Sequence, residues 1–414
     1  MKIERGLIVA LGALTAAACA GGTGGGGSAP SRGASASLPQ VTCATNAATA
    51  TTFATSAQGA LNRTLVVQGD ARAPYYQQAM DQARQGITAE PNNPLHYFLA
   101  GQAAVGMNDL AAADSLFDRT LELCPEFGTL VTPERQQAWA TAFQTGLDAY
   151  QGGDTARAIA TWEAAGQFYD ERPDIFYNLA VVYGQRNDYP RAVANYRKAL
   201  EAANRAPGDS AVAETRANAL NGLLSSGAQL FQQERFSDAA EIFALLNQVD
   251  PNNRDAWYNH ALALYKQERW QQLIPVATRL VQVDPLNYNG QIILFNAYKG
   301  ISEAAKARND QATERQNREM ALRTLEASDQ LPLQVDGVAL TNQAGGAKIT
   351  GQVTGAAARA GSPVQLEFTI YGPSGSIGTG TVTIAAPAKD QKANFELTVP
   401  TTTPATSWSY RVVR

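Results

Sequence analysis

Between residues 73 and 329, apolar and small side chains recur at i, i+3, i+4 and i+7. That spacing gathers them on one side of an α-helix. The helical stretches come in pairs, and one frame of residues returns along them. From Pro94 it holds Tyr97, Gly101, Leu110, Ala113, Phe117, Leu121 and Pro125; next come Gly146, Ala158, Trp162 and Ala165. It returns as Phe176, Leu179, Ala180, Tyr183, Tyr189, Ala192, Tyr196, Ala199 and Leu200, and then as Leu223, Gly227, Phe236, Ala239, Phe243 and Pro251. A fifth copy has Trp257, Ala261, Leu264, Trp270 and Pro285, but Leu273 and Ala277 exchange the small and large residues of its second helix. Successive copies are 45, 34, 47 and 34 residues apart, so the period is near 34, with insertions near 126–136 and 203–215. The glycines and alanines of the first helices (Gly101, Gly146, Ala180, Gly227, Ala261) remove bulk where paired helices cross. Ala113, Ala158, Ala192 and Ala239 do so on the second helices, while Phe117, Trp162, Tyr196 and Phe243 fill the space opposite. A weaker helical stretch precedes, around 75–87. A degenerate pair follows, at 287–299 and in the charged run 303–327, which suits the polar cap an array needs at its end.

The clearest unit, PDIFYNLAVVYGQRNDYPRAVANYRKALEAA from Pro173, resembles the tetratricopeptide repeat (TPR). The resemblance implies an α-helical solenoid, a superhelix of antiparallel helix pairs, because one pair cannot bury its apolar face alone. It also implies a concave groove lined by first helices. Carried onto this sequence, the groove has a row of Phe98, Phe143, Tyr177, Leu224 and Tyr258, and a second row of Val105, Tyr150, Gly184, Phe231 and Tyr265. Asn178 and Asn259 follow their tyrosines. This lining is aromatic and nearly uncharged, and lacks the basic clamp with which some such proteins hold peptide carboxylates. The implied activity is non-catalytic: a scaffold holding an extended or helical peptide of a protein partner by apolar anchors. Against it stands the plainer reading that the rings pack on neighbouring repeats.

After Leu331 the period changes to alternation. The segments 333–340, 347–355, 364–372, 380–386, 393–399 and 407–413 read as strands between Gly, Pro and Ser turns, so a small all-β sandwich is expected over 331–414. Phe368-Thr369-Ile370-Tyr371-Gly372 resembles the FxLYD signature of a bacterial immunoglobulin-like domain, with Ile370 and Gly372 departing from it. Gly372, Gly375, Gly378 and Gly380 read as a turn, because no helix follows to make them a dinucleotide loop.

The first residues carry Lys2 and Arg5 and then an apolar run to Ala18 that is too short to span a bilayer. Thr15-Ala16-Ala17-Ala18-Cys19 resembles a bacterial lipobox, with Ala16 where Leu is usual. It implies a signal peptide over 1–18, a palmitate-type acyl group on Cys19, and anchoring in the cell envelope. Ala20 after the cysteine favours the periplasmic face of the outer membrane. The alternative is simple cleavage after Ala18. Residues 19–40 form a Gly/Ser/Ala tether, and 41–72 an extension before the repeats.

Net charge is −4 and only 17% of residues are charged, without the basic cluster that nucleic acid demands. Cys43 and Cys124 suit a disulfide in an oxidising compartment, or else two buried free thiols. Chemistry is scarce. The chain has two histidines: His96, ahead of a helix start and read as exposed, and His260, at an apolar first-helix position. They cannot supply a zinc site or a Cys–His dyad, and no cofactor, metal or catalytic set is expected. Glu122, Glu126 and Glu134 follow polar helix faces, while Asp109, Asp154 and Asp188 sit where helix caps belong. Two competing readings are an envelope ligand carrier whose β-domain holds polysaccharide or peptidoglycan, and an enzyme with an unrecognised site.

Overall fold

The computed structural model describes residues 37–206, 209–372 and 375–413. The expected signal peptide, Cys19 and nearly all of the expected tether lie outside them. The chain divides into two compact units, 1–182 and 183–414.

The first unit holds α1 (Thr52–Thr64), α2 (Ala73–Ala89), α3 (Pro94–Gly106), α4 (Leu110–Leu123), α5 (Gly128–Gln151), α6 (Thr155–Phe168) and most of α7 (Asp174–Gln185). Helices α1 and α2, α3 and α4, and α5 and α6 pack as hairpins, and α3 also lies against α2. Helix α1 falls in the stretch set down as an extension. Its buried face is Ala54, Ala57, Ala60 and Leu61, too small to stand out as an apolar stripe. The insertion at 126–136 becomes a short turn, Pro125–Phe127, and the opening turns of the 24-residue α5.

Steric fit explains the repeat frame. A Cβ on Gly101 would stand 2.5 Å from the Phe117 ring, and one on Gly146 2.3 Å from Trp162. Both are closer than carbon atoms approach, so the ring of the second helix occupies the notch left by the glycine of the first. The indole of Trp162 also donates to the Phe143 carbonyl at 3.1 Å. The α3–α4 and α5–α6 turns each put one residue in the left-handed region and cap the next helix with aspartate. Asn108 (φ +59°) and Gly153 (φ +85°) precede Asp109 and Asp154. Those carboxylates accept the backbone N–H of Ala112 at 3.1 Å and of Arg157 at 3.0 Å.

The second unit holds α8 (Tyr189–Arg205), α9 (Ser210–Gln232), α10 (Phe236–Val249), α11 (Arg254–Lys266), α12 (Trp270–Val283), α13 (Tyr288–Ala307) and α14 (Gln311–Asp329). Each packs on the next along the chain. The notch recurs, since a Cβ on Gly227 would stand 2.6 Å from the Phe243 ring. The fifth copy, whose residues are exchanged, forms α12 all the same. Leu273 and Ala277 are both fully buried, and Trp270 lies over Gly300 of α13, where a Cβ would stand 2.6 Å away. Helix α13 runs past position 303, where a second helix was expected to begin; the turn is at Asn309 (φ +57°), and Asp310 caps α14 by accepting Thr313 N–H at 3.1 Å.

Strands β1 (Leu333–Gln343), β2 (Gly346–Gly355), β3 (Pro363–Gly372), β4 (Gly375–Ala385), β5 (Lys392–Pro400) and β6 (Ser407–Val413) form two antiparallel three-stranded sheets, β1-β2-β5 and β4-β3-β6. The sheets share one core of Leu333, Val335, Ile349, Leu366, Phe368 and Tyr410 with their neighbours. Gly378 and Gly380 are inside β4 and not in a turn. Their bare Cα atoms let Val399 of β5 approach, since Cβ atoms there would stand 2.9 and 2.8 Å from it. The fold class is thus a TPR-like helical-hairpin array followed by antiparallel strands in two small sheets.

Candidate binding surfaces

In the first unit most of the proposed groove residues are packing groups. Phe98 is 2% exposed, wedged between Phe117 and Phe127 with ring centroids 6.0 and 5.4 Å away. Phe143 is 1% exposed and stacks on Trp139 at 5.5 Å. Tyr177 and Asn178 are buried too, and burial pushes the Tyr177 phenol above its ordinary pKa. These four leave the groove. The cause is clearest at α3, which is covered by α4 on one side and by α2 on the other. Both of its apolar sides are therefore interior. Tyr150 is partly exposed, with its ring 6.2 Å from Trp162.

The second unit differs. Leu224, Phe231, Tyr258, Asn259 and Tyr265 are all partly exposed. Phe231 is edge-on to Phe236 at 5.0 Å, Tyr265 edge-on to Trp270 at 5.5 Å, and Tyr258 lies under the Arg254 guanidinium at 4.7 Å. Each ring is propped by a neighbour of its own hairpin and keeps part of its surface open. His260 stands with Nδ1 2.9 Å from the Asn247 amide nitrogen. Burial, with the charge of Arg269 adding to it, lowers its pKa to about 4, so it is neutral at neutral pH.

His96 is inside α3 and fully buried, not exposed. Its ring fills the notch over Gly86, where a Cβ would stand 2.3 Å from Nδ1. Burial holds its pKa below the usual value, against the pull of Glu90. Cys43 and Cys124 are joined as a disulfide with Cα atoms 5.4 Å apart. It pins the segment before α1 to the end of α4, where Asn46 also donates to the Leu123 carbonyl at 2.8 Å. With Glu126 they are the only cluster of metal-ligand type among the described residues, and disulfide sulfurs are not thiolate ligands.

Sequence reasoning missed the most developed polar site. The loops between hairpins repeat as Asp250-Pro251-Asn252-Asn253 and Asp284-Pro285-Leu286-Asn287. Asn253 and Asn287 cap α11 and α13 by accepting the N–H groups of Ala256 at 3.0 Å and Gly290 at 2.8 Å. The aspartates, 7% and 2% exposed, serve the β-domain. On β6, Ser407 donates to Asp250 Oδ1 at 3.0 Å and Tyr410 donates to Asp284 Oδ1 at 2.6 Å. Arg254 donates to Asp284 Oδ2 at 2.7 Å, Leu286 N–H to the Tyr410 hydroxyl at 3.1 Å, and Val335 N–H of β1 to the Leu286 carbonyl at 3.0 Å. Burial, and then the Asp284 carboxylate, push the Tyr410 phenol well above its usual range. Three residues of strand span about 10 Å, close to the 8–10 Å between packed helices, so one strand reaches two successive loops. The signal was present as a DPxN motif recurring at 34 residues. Beside this contact lies a cavity of about 470 Å³, walled by α9, the first turn of α11, β1 and residues 404–408.

Among the described residues no helix is long and apolar enough to cross a membrane. A tetratricopeptide-repeat family model matches residues 143–207 and 227–285. No curated protein sequence matches the chain. Among solved structures it is similar to MamA (41-end) from Desulfovibrio magneticus RS-1, at 16% identity over 46% of this chain and 97% of that one, TM-score 0.23. It is also similar to yeast Tom70, at 17% identity over 65% and 50%, TM-score 0.24. A third likeness is to the C-terminal part of a TPR repeat-containing protein from Cytophaga hutchinsonii, at 15% identity over 61% and 90%, TM-score 0.25. Over the residues matched by the family model, the helical hairpins of this chain are similar to tetratricopeptide repeats.

Proposed function

We propose that the chain is a non-catalytic, membrane-anchored scaffold whose repeats hold a peptide segment of a protein partner in the cell envelope. TPR repeats are typically interaction modules, and what carries the finer reading is the second unit. There Phe231, Tyr258 and Tyr265 keep partly open ring surfaces on the first helices α9 and α11, each braced from within its hairpin. Braced aromatics lose little side-chain freedom on binding, which is why such rings serve as anchors. The anchor rests on the lipobox-like residues ending at Cys19, and acylation there would leave the repeats in solution beside the membrane.

The test is affinity capture from the native envelope with wild type and with Phe231→Ala, Tyr258→Ala and Tyr265→Ala combined. Loss of a defined partner from a variant with an unchanged melting curve supports the reading; undiminished capture ends it. For the anchor, Cys19→Ala should move the protein from the membrane fraction to the soluble one, and retention on the membrane would refute acylation.

A further inference from the structure

We infer that the cavity between α9 and the β-domain is a second peptide site, and that it takes an extended internal segment in which an apolar residue is flanked by basic ones. It rests on the reading of the chain as a protein-binding scaffold; its lining takes Leu224 from the first-helix row but none of the rings Phe231, Tyr258 and Tyr265. The volume, about 470 Å³, lies within the usual range for binding pockets, roughly 300–1,000 Å³. Three features define the occupant.

The first is an open strand edge. Strand β1 is the outer strand of its sheet. Its outer edge donates once, from Val335 to the Leu286 carbonyl, and β1 carries a bulge between Asp336 and Ala339 in its pairing with β2. Beyond it, Val338, Ala339, Leu340 and Asn342 line the cavity, and among the described residues their outer edge has no backbone partner. An extended chain satisfies such an edge by adding as a strand. The second feature is apolar lining: Leu220 and Leu224 of α9 with Val338 and Leu340 of β1, which offers contact to an aliphatic side chain. The cavity's shape does not wait for a ligand, since Asn342 clamps β1 to the facing segment, accepting Ala405 N–H at 2.8 Å and donating to the Ala405 carbonyl at 3.0 Å.

The third feature is charge. The cation at the cavity, Arg254, is bonded to Asp284 at 2.7 Å and to Asp255 at 3.0 Å. Its charge is matched twice over, while the Asp255 carboxylate is 62% exposed. A free C-terminal carboxylate or a phosphate would meet net negative charge, whereas a lysine or arginine beside the apolar anchor would meet its complement.

The test uses the full mature chain and an acetylated, amidated octapeptide carrying photo-leucine between two lysines, with serine and threonine elsewhere. Irradiation and mass spectrometry should place the crosslinks on residues 217–224, 338–342 or 404–408. Labelling should fall at least tenfold with Leu224→Asp, and with glutamates in place of the peptide lysines. Asp255→Asn, at an exposed position, should abolish the preference for lysine over glutamate, and thermal melts identify any variant that fails to fold. Absence of labelling, crosslinks confined elsewhere, or equal labelling by the glutamate or free-carboxylate peptide overturns the inference. Native partner capture that depends on Tyr258 and Tyr265 but not on Leu224 or Asp255 would overturn it while leaving the proposed function standing.

Discussion

Tyr410→Phe removes one oxygen from the contact between β6 and the repeats and leaves the ring in place. That oxygen donates to Asp284 at 2.6 Å and accepts from Leu286 at 3.1 Å, at a residue 3% exposed. A hydrogen bond to a charged group contributes about 1.5–3 kcal/mol, and a buried N–H left without an acceptor costs about 1–3 kcal/mol more. These losses overlap, so the expected destabilisation of the second unit is about 3 kcal/mol. At roughly 2–4 °C per kcal/mol for a unit of this size, the melting midpoint falls by about 6–12 °C. Urea melts followed by far-UV circular dichroism measure the free energy. Hydrogen exchange then shows whether β1 and β6 amides lose protection together, as docking through both strands requires. Asp284→Asn, which also leaves Arg254 without its buried partner, should cost more, about 3–5 kcal/mol. In a double-mutant cycle the two changes should couple by at least about 1 kcal/mol. A loss under about 1 kcal/mol for Tyr410→Phe, or additive effects, would show that the β-domain is not held by this network.

Four further outcomes follow from the same reasoning. His260, lowered to about 4 from an unfolded value of 6.5, favours the neutral ring in the fold, so its contribution is present above about pH 6.5 and lost as pH falls toward 4. Between pH 7.5 and 5, wild type should lose about 2 kcal/mol more than His260→Gln, and equal losses would contradict the assignment. Reducing the Cys43–Cys124 bridge, which closes a loop of 81 residues, should destabilise the first unit by about 4 kcal/mol; a melt unchanged by dithiothreitol would contradict that. Gly146→Ala should cost about 1–3 kcal/mol by overpacking against Trp162, with a neutral result contradicting the notch. Glu268→Asn, at φ +54°, should stabilise by a few tenths to about 1 kcal/mol, because asparagine tolerates the left-handed region better; a lower urea midpoint would refute the strain.

The helical hairpins are legible in the sequence because their determinants are local. A glycine on one helix and a ring about sixteen residues later, as in Gly101 and Phe117, meet across a single turn. Helix α1 is not legible, since alanines carry its buried face without a large apolar stripe. The groove reading failed at Phe98 because a helix covered on two sides looks apolar on both, and sequence does not say which side stays open. Gly378 and Gly380 read as a turn because glycine is scarce in strands, and only the packing of β5 shows why they belong in one. The clamp on Asp250 and Asp284 was half visible: the motif repeats, but its partners lie more than 120 residues away on β6.

The central claim is that the chain works by holding a protein segment on the first-helix face of its second unit. Photo-crosslinking in the native envelope, with a photoreactive residue at 231, 258 or 265 in turn and at exposed position 241 of α10 as reference, tests it most directly. The account predicts one defined partner captured from the three face positions and not from the reference. Capture from the reference position alone, or from none of the four, would contradict it.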